Sequence, residues 1–168
     1  MTIMELVELG SYLVTIVGLP FAIYAYLLEQ RKERENEDEE GWQNLADAYN
    51  DFLKLVLENP DLKLRTTERA FNLSDEQRER KRVIFEMLIS LFERAYILLY
   101  ADEMPDRQRR RWHSWDDYMR EWCRREDFRS SLPDLLRGED EAFARYIGDL
   151  AEDEQHARAQ SDRSSAPQ

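Results

Sequence analysis

Val83-Ile-Phe-Glu86-Met-Leu-Ile-Ser90-Leu-Phe-Glu93-Arg94-Ala-Tyr-Ile-Leu-Leu-Tyr100 is the stretch on which the architecture turns. It is long enough for a membrane crossing or for the central helix of a core. Its charges decide between the two. Glu86, Glu93 and Arg94 would each cost about 2.5–3.5 kcal/mol near the centre of a bilayer, so a second membrane span is rejected. What remains is a core helix that is apolar on nearly every side, with Glu86, Ser90, Glu93 and Arg94 as its polar exceptions. Its start is also written: Ser74 with Gln77 three residues on forms a capping box. Asp75 and Glu76 fall in the first turn, where the helix dipole favours negative charge.

Upstream, Trp42, Leu45, Tyr49, Phe52 and Val56 recur at spacings of three, four, three and four, widened by Leu53 and Leu57. That period predicts an amphipathic helix, stopped at Asn59-Pro60 because the residue before a proline avoids the α region. Residues 61–73 read as irregular. Downstream, Asp102-Glu-Met-Pro-Asp106 breaks the chain before a helix in which Trp112, Trp115, Met119 and Trp122 form one stripe, with Tyr118 beside it. These rings are either a binding surface or the filling of a small bundle, and the helical spacing favours the filling. A turn at Ser130-Ser131-Leu132-Pro133, a short helix to Arg137 and a stop at Gly138 follow. The last helix, Glu139 to Glu152, carries Phe143, Tyr146, Ile147 and Leu150 on one face. From 153 to 168 the composition is polar and is expected to be disordered. No run alternates like a strand. The fold class is therefore all-α, with a bundle of about four helices over residues 42–152.

The N-terminal region differs. Residues 9–28 are twenty positions without a charged side chain, enough at about 1.5 Å per residue to cross the ~30 Å hydrocarbon layer. A buried helix or a cleaved signal peptide fits less well, because Glu5 and Glu8 precede the run where a signal peptide needs basic residues. Arg31, Lys32 and Arg34 follow the span and no basic residue precedes it. The expectation is a single-pass inner-membrane protein with residues 1–8 outside and the C-terminal domain in the cytoplasm. Ser11, Thr15, Gly18, Ala22 and Ala25 place small side chains along one face. In lipid such a face favours close helix packing, hence a homo-oligomer. Pro20 should bend the helix. Residues 29–41 form a charged stalk, with Gly41 as a candidate break within an otherwise helix-favouring run.

Averages conceal this division. The 168 residues carry a net charge of −12 and a mean hydropathy of −0.75, and −11 of that charge lies after residue 34. Acidity of this size argues against nucleic acid as a partner. One cysteine and two histidines exclude a disulfide scaffold and a Cys/His zinc module. No phosphate-binding glycine loop, nucleophile elbow, His-Glu-x-x-His or paired Glu-x-x-His is present, so no enzyme, cofactor or metal is expected.

One short motif stands apart. Arg107-Gln-Arg-Arg-Arg-Trp-His113 resembles the Arg-x(4–6)-His signature of HEPN ribonucleases, with Gln108 where that family usually carries Asn, Asp or His. The resemblance implies a proton-transfer role for His113 and phosphate stabilisation by Arg107. The same arginines also suit a phosphate- or lipid-contacting patch, or salt bridges to the acidic surface. Over nearly the whole chain, the span, stalk, Phe92-Glu-Arg-Ala-Tyr-Ile-Leu-Leu-Tyr100, Trp112-x-x-Trp115, Asp127-Phe-Arg129 and Phe143-x-x-Tyr-Ile147 resemble bacterial single-pass membrane proteins of unknown function. The layout is also similar to the membrane accessory protein of RNA-guided CRISPR systems, which implies an oligomeric, defence-associated pore. The reading drawn from the residues is a membrane-bound, self-associating module that shows an acidic helical domain to a cytoplasmic protein partner.

Overall fold

The computed structural model describes residues 19–66 and 72–164, and outside 34–38 and 161–164 it describes their side chains as well. Among the described residues the chain is all-helical: α1 (Leu19–Glu58), a 3-10 turn (Pro60–Leu62), α2 (Asp75–Leu99), α3 (Asp106–Cys123), α4 (Glu126–Leu135) and α5 (Glu141–Ser164). Contacts divide the chain into one unit up to Asn44 and a second from Leu45 onward. The helix α1 runs through Gly41 without a break. A mid-helix glycine costs only about 1 kcal/mol relative to alanine, and the surrounding Glu, Gln, Ala and Leu favour helix.

No helix among the described residues is long and apolar enough to cross a membrane. The expected span 9–28 is therefore not found there, because its first half lies outside the described residues. Only Leu19 to Leu28 belong to α1, and ten residues of helix reach about 15 Å, half of a hydrocarbon layer.

The second unit is organised by α3. Trp112, Trp115, Met119 and Trp122 are all buried, so the stripe is core filling, as its spacing favours. The Trp115 indole meets Tyr49 of α1 (ring centroids 5.6 Å apart) and Phe92 of α2 (6.4 Å). Trp122 meets Phe52 (5.7 Å), Phe85 (6.2 Å) and Phe128 of α4 (6.0 Å). Most of these pairs are edge-to-face, the arrangement favoured by the ring quadrupole. At the other end of α3, Trp112 lies 5.4 Å from Tyr146 of α5, within a cluster completed by Tyr96 and Tyr100.

The capping box at Ser74 is present in both directions: Gln77 N–H donates to Ser74 Oγ and Ser74 N–H donates to Gln77 Oε1. The helix it opens, α2, is not the all-round central helix expected. Ile84, Phe85, Leu88, Ile89, Phe92 and Ala95 are buried, but Val83, Met87, Ile97 and Leu98 are about half exposed or more. The bulk of the α3 rings makes α3 the hub and leaves one side of α2 uncovered. Leu57, expected to widen the α1 stripe, is 74% exposed for the same reason.

Two further boundaries differ. Ser130-Ser131-Leu132-Pro133 is helix, not turn. Burial of Phe128, Leu132 and Leu135 on one face holds α4, and Ser130 and Ser131 hydroxyls both donate to the Asp127 carbonyl (3.1 and 2.8 Å). Pro133 sits late in α4 and removes one donor without ending it. The helix α5 continues to Ser164 through residues 153–164, for which the composition predicts disorder. Helix-favouring Ala, Glu, Gln and Arg are joined there by ties to α3: Arg124 Nε donates to Glu154 (3.0 Å), and Arg158 reaches the Arg124 carbonyl (3.5 Å). Residues 165–168 lie outside the described residues.

The loop after α1 is fastened by a buried arginine. Arg125, 4% exposed, grips Asp127 with two parallel bonds (Nε to Oδ1 3.1 Å, Nη2 to Oδ2 2.8 Å). Its remaining nitrogen, Nη1, donates to the carbonyls of Lys63 (3.0 Å), Leu64 (3.2 Å) and Thr66. Lys81 of α2 closes on the same carboxylate at 3.3 Å. Lys63 has a left-handed backbone (φ 49°), an unfavourable conformation for a residue with a Cβ, and the carbonyl it presents is one of those Arg125 takes. Burial alone would raise the Asp127 pKa, but the hydrogen bonds and charge of Arg125, then of Lys81, hold it below the ordinary carboxylate value.

A depressed carboxylate contributes stability that is present above its unfolded pKa and lost as pH falls through its folded pKa. We therefore expect Asp127→Ala to cost about 3–5 kcal/mol at neutral pH, since it leaves the buried Arg125 and the part-buried Lys81 without their counter-ion. Urea denaturation of both chains at pH 7 and below pH 4 should show the gap narrowing in acid.

Candidate functional site

A concave surface within the second unit lies between α1 and α2. Ala48, Asp51 and Phe52 form one wall and Glu86, Met87, Ser90, Leu91 and Arg94 the other, around a groove of about 620 Å³. Its floor is apolar, because Phe52 and Leu91 are buried beneath it. Its rim is charged: Glu86 pairs with Arg82 (3.0 Å) and Asp51 with Lys54 (2.8 Å), both between exposed side chains. Exposed Val83, Ile97 and Leu98 continue the apolar character along α2. A groove with an apolar floor and a mixed-charge rim is suited to receiving a helix. Periodicity marks Glu86, Ser90 and Arg94 only as interruptions of an apolar run. The missed signal is that they recur every four residues, on the side of α2 that the bundle leaves open.

A smaller cleft of about 540 Å³ lies beside the aromatic cluster, between Tyr96, Tyr100, Asp102, Arg145, Tyr146 and Asp149. Below it, the Tyr146 hydroxyl donates to Asp116 Oδ1, while Arg120 Nε donates to Asp116 Oδ2 (2.9 Å). Burial, and then the bond to Asp116, raises the Tyr146 pKa. The Asp116 carboxylate thus joins α3 to α5.

Arg107 and His113 are both exposed on α3. Six residues of helix separate them by about 9 Å along the axis and 120° around it, so the helix does not bring the pair together on one face. Gln108 donates to the Leu99 carbonyl (2.8 Å) and ties the start of α3 to the end of α2. Arg109 pairs with Asp106 (3.4 Å) and donates to the Met104 carbonyl (2.9 Å), so it takes the salt-bridge role allowed for this stretch. His113 has Asp116 and Asp117 beside it, their ligand atoms within 4.8 Å of one another. Asp116 is already engaged by Tyr146 and Arg120, which accounts for its charge without an ion.

In the first unit, Leu19, Phe21, Ile23, Tyr24, Tyr26 and Leu27 are each more than half exposed, and Phe21 reaches 70%. Ala22 and Ala25 of the small face are exposed on α1, whereas Ser11, Thr15 and Gly18 lie outside the described residues. Arg31 and Lys32 are exposed, and the Arg34 side chain is not among those described. Cys123 is buried, and burial pushes its thiol up to about 12, which removes it as a nucleophile at neutral pH.

One carboxylate pair spans α2 and the turn before α5. Gly138 (φ 94°) reverses the chain; Asp140 then caps α5 by accepting from the N–H groups of Ala142 and Phe143, both at 2.9 Å. The Asp140 N–H itself donates to Glu93 Oε1. Glu139 faces Glu93, and burial followed by that neighbouring carboxyl lifts its pKa from 4.5 to about 7. No family model, curated protein or solved structure matches the chain.

The Glu139 shift has a definite sign. Between about pH 4.5 and 7 the folded chain keeps a proton that the unfolded chain has released, so stability from this pair is present in acid and lost as pH rises through the window. Glu139→Gln should flatten that part of the stability–pH curve and raise stability at pH 8, as read by chemical denaturation at pH 5 and pH 8.

Proposed function

We propose that the protein is a membrane-tethered, self-associating interaction module whose helical domain receives a protein partner. In this reading residues 9–28 cross the membrane, and Arg31, Lys32 and Arg34 keep their flank in the cytoplasm. The stalk of residues 29–41 stands between the span and the bundle. Its acidic half is repelled by anionic head groups, so it holds the domain off the leaflet. The small face of Ser11, Thr15, Gly18, Ala22 and Ala25 joins copies of the span.

The observation that carries the reading is the apolar run at the start of α1, where Phe21, Ile23, Tyr24 and Leu27 all stand more than half exposed. A helix apolar all round needs a core or a lipid environment to cover it, and three basic residues follow directly after this one. The groove between α1 and α2 supports the second part of the reading, because its lining offers shape and apolar area with a charged rim.

The full chain should remain in the membrane pellet after alkaline carbonate extraction, with a C-terminal reporter active only in the cytoplasm. Ala22→Arg, which places a charge in the span at about 2.5–3.5 kcal/mol, should move about a hundredfold more chain into the soluble fraction. Wild-type chain released by carbonate, or a reporter active outside, would count against the anchor.

A further inference from the structure

The open side of α2 has an order of its own. Val83, Glu86, Ser90, Arg94 and Ile97 are spaced three, four, four and three, so at 100° per residue they fall within an arc of about 80° on one face. All five are exposed. The spacing reads the same in both directions from Ser90, and the chemistry is complementary about that centre. Apolar Val83 mirrors apolar Ile97, acidic Glu86 mirrors basic Arg94, and the smallest side chain of the five is at the midpoint.

An isologous interface places residue i against j and j against i. When two copies of a helix cross antiparallel about a two-fold axis at residue 90, position 90+n meets position 90−n of the partner. On α2 that brings Val83 to Ile97 and Glu86 to Arg94, each twice, with the two Ser90 side chains between the helices, where small groups allow close approach. A parallel pairing would instead set Glu86 against Glu86 and Arg94 against Arg94, and like charges in register destabilise. Glu86, Ser90 and Arg94 also line the groove, so the pairing covers its α2 wall. The Glu86–Arg82 pair of one chain leaves a carboxylate that accepts a second cation without being displaced.

We infer that the face of α2 centred on Ser90 is a self-association surface, on which a second copy of this chain seats its own α2 antiparallel through reciprocal Glu86–Arg94 pairs. This names the partner of the groove proposed above and rests on reading that groove as an interaction surface; it is independent of the span contact. Where both contacts exist in one chain, each raises the effective concentration for the other.

The test is disulfide trapping in the full chain. Ser90→Cys should give a covalent dimer under mild oxidation, because the two-fold axis brings the two positions together, while the native Cys123 stays buried and silent. Asp117→Cys, on the exposed side of α3, should give little. Arg94→Glu or Glu86→Arg, each added to Ser90→Cys, should lower the dimer yield about tenfold through like-charge contact. The two reversals together should restore most of it, with helicity by circular dichroism unchanged throughout. Equal trapping at 90 and 117, or a dimer indifferent to the single reversals, would overturn the pairing. Ala22→Cys trapping and carbonate extraction report the span and the anchor separately. If the chain is recovered in the soluble fraction, the anchor fails and the same Ser90→Cys measurement made there still decides the pairing.

Discussion

The indole rings of Trp115 and Trp122 leave water only when helices close on α3 from several sides at once. Tyr49 and Phe52 come from α1, Phe85 and Phe92 from α2, and Phe128 from α4. Large aromatics bury about 150–250 Å² each, so α3 places a large share of the apolar area on a helix whose outer side is strongly charged. The consequence is a division of labour. The helix α2 carries more apolar side chains than the bundle covers, and the surplus is left facing outward around the groove.

Rings alone do not fix the path of the loop between α1 and α2. That role falls to polar groups withdrawn from solvent. The Arg125 guanidinium gathers three successive regions of that loop, through the carbonyls of Lys63, Leu64 and Thr66, and holds them against Asp127 at the start of α4. A second set reinforces it: Arg80 of α2 donates to Asn59 (2.9 Å) and Asp61 (2.8 Å). Gln77, already in the capping box, donates to Asp61 as well (2.9 Å). The Arg125 bonds satisfy loop carbonyls that burial would otherwise leave unpaired, while the Arg80 and Gln77 bonds to Asp61 lie at the surface and tie the loop to the start of α2.

What the sequence makes legible follows the range of the forces involved. Local signals are accurate here: the Ser74 capping box, the stop at Asn59-Pro60 and the tryptophan stripe are all read from residues within a few positions of one another. Features that depend on distant partners are not. Nothing near Arg125 announces that its acceptors lie about sixty residues upstream, and nothing near residue 153 shows that Glu154 will meet Arg124 thirty residues earlier. Pro133 argues for a turn on local grounds, yet burial of Phe128, Leu132 and Leu135 overrides it. At the groove the failure is of another kind. Glu86, Ser90 and Arg94 are visible in the sequence, but as exceptions to a pattern, and their meaning depends on which side of α2 the bundle leaves uncovered.

The single cysteine has a use that its burial creates. Cys123 closes α3 among packed side chains, with its carbonyl accepting from Arg129 (2.6 Å) and its thiol held protonated. An alkylating reagent can reach the sulfur only when the junction of α3 and α4 opens. In the wild-type chain, the rate of thiol modification is therefore an internal clock for local opening of the helical core, readable inside a crowded preparation where spectroscopic probes are obscured.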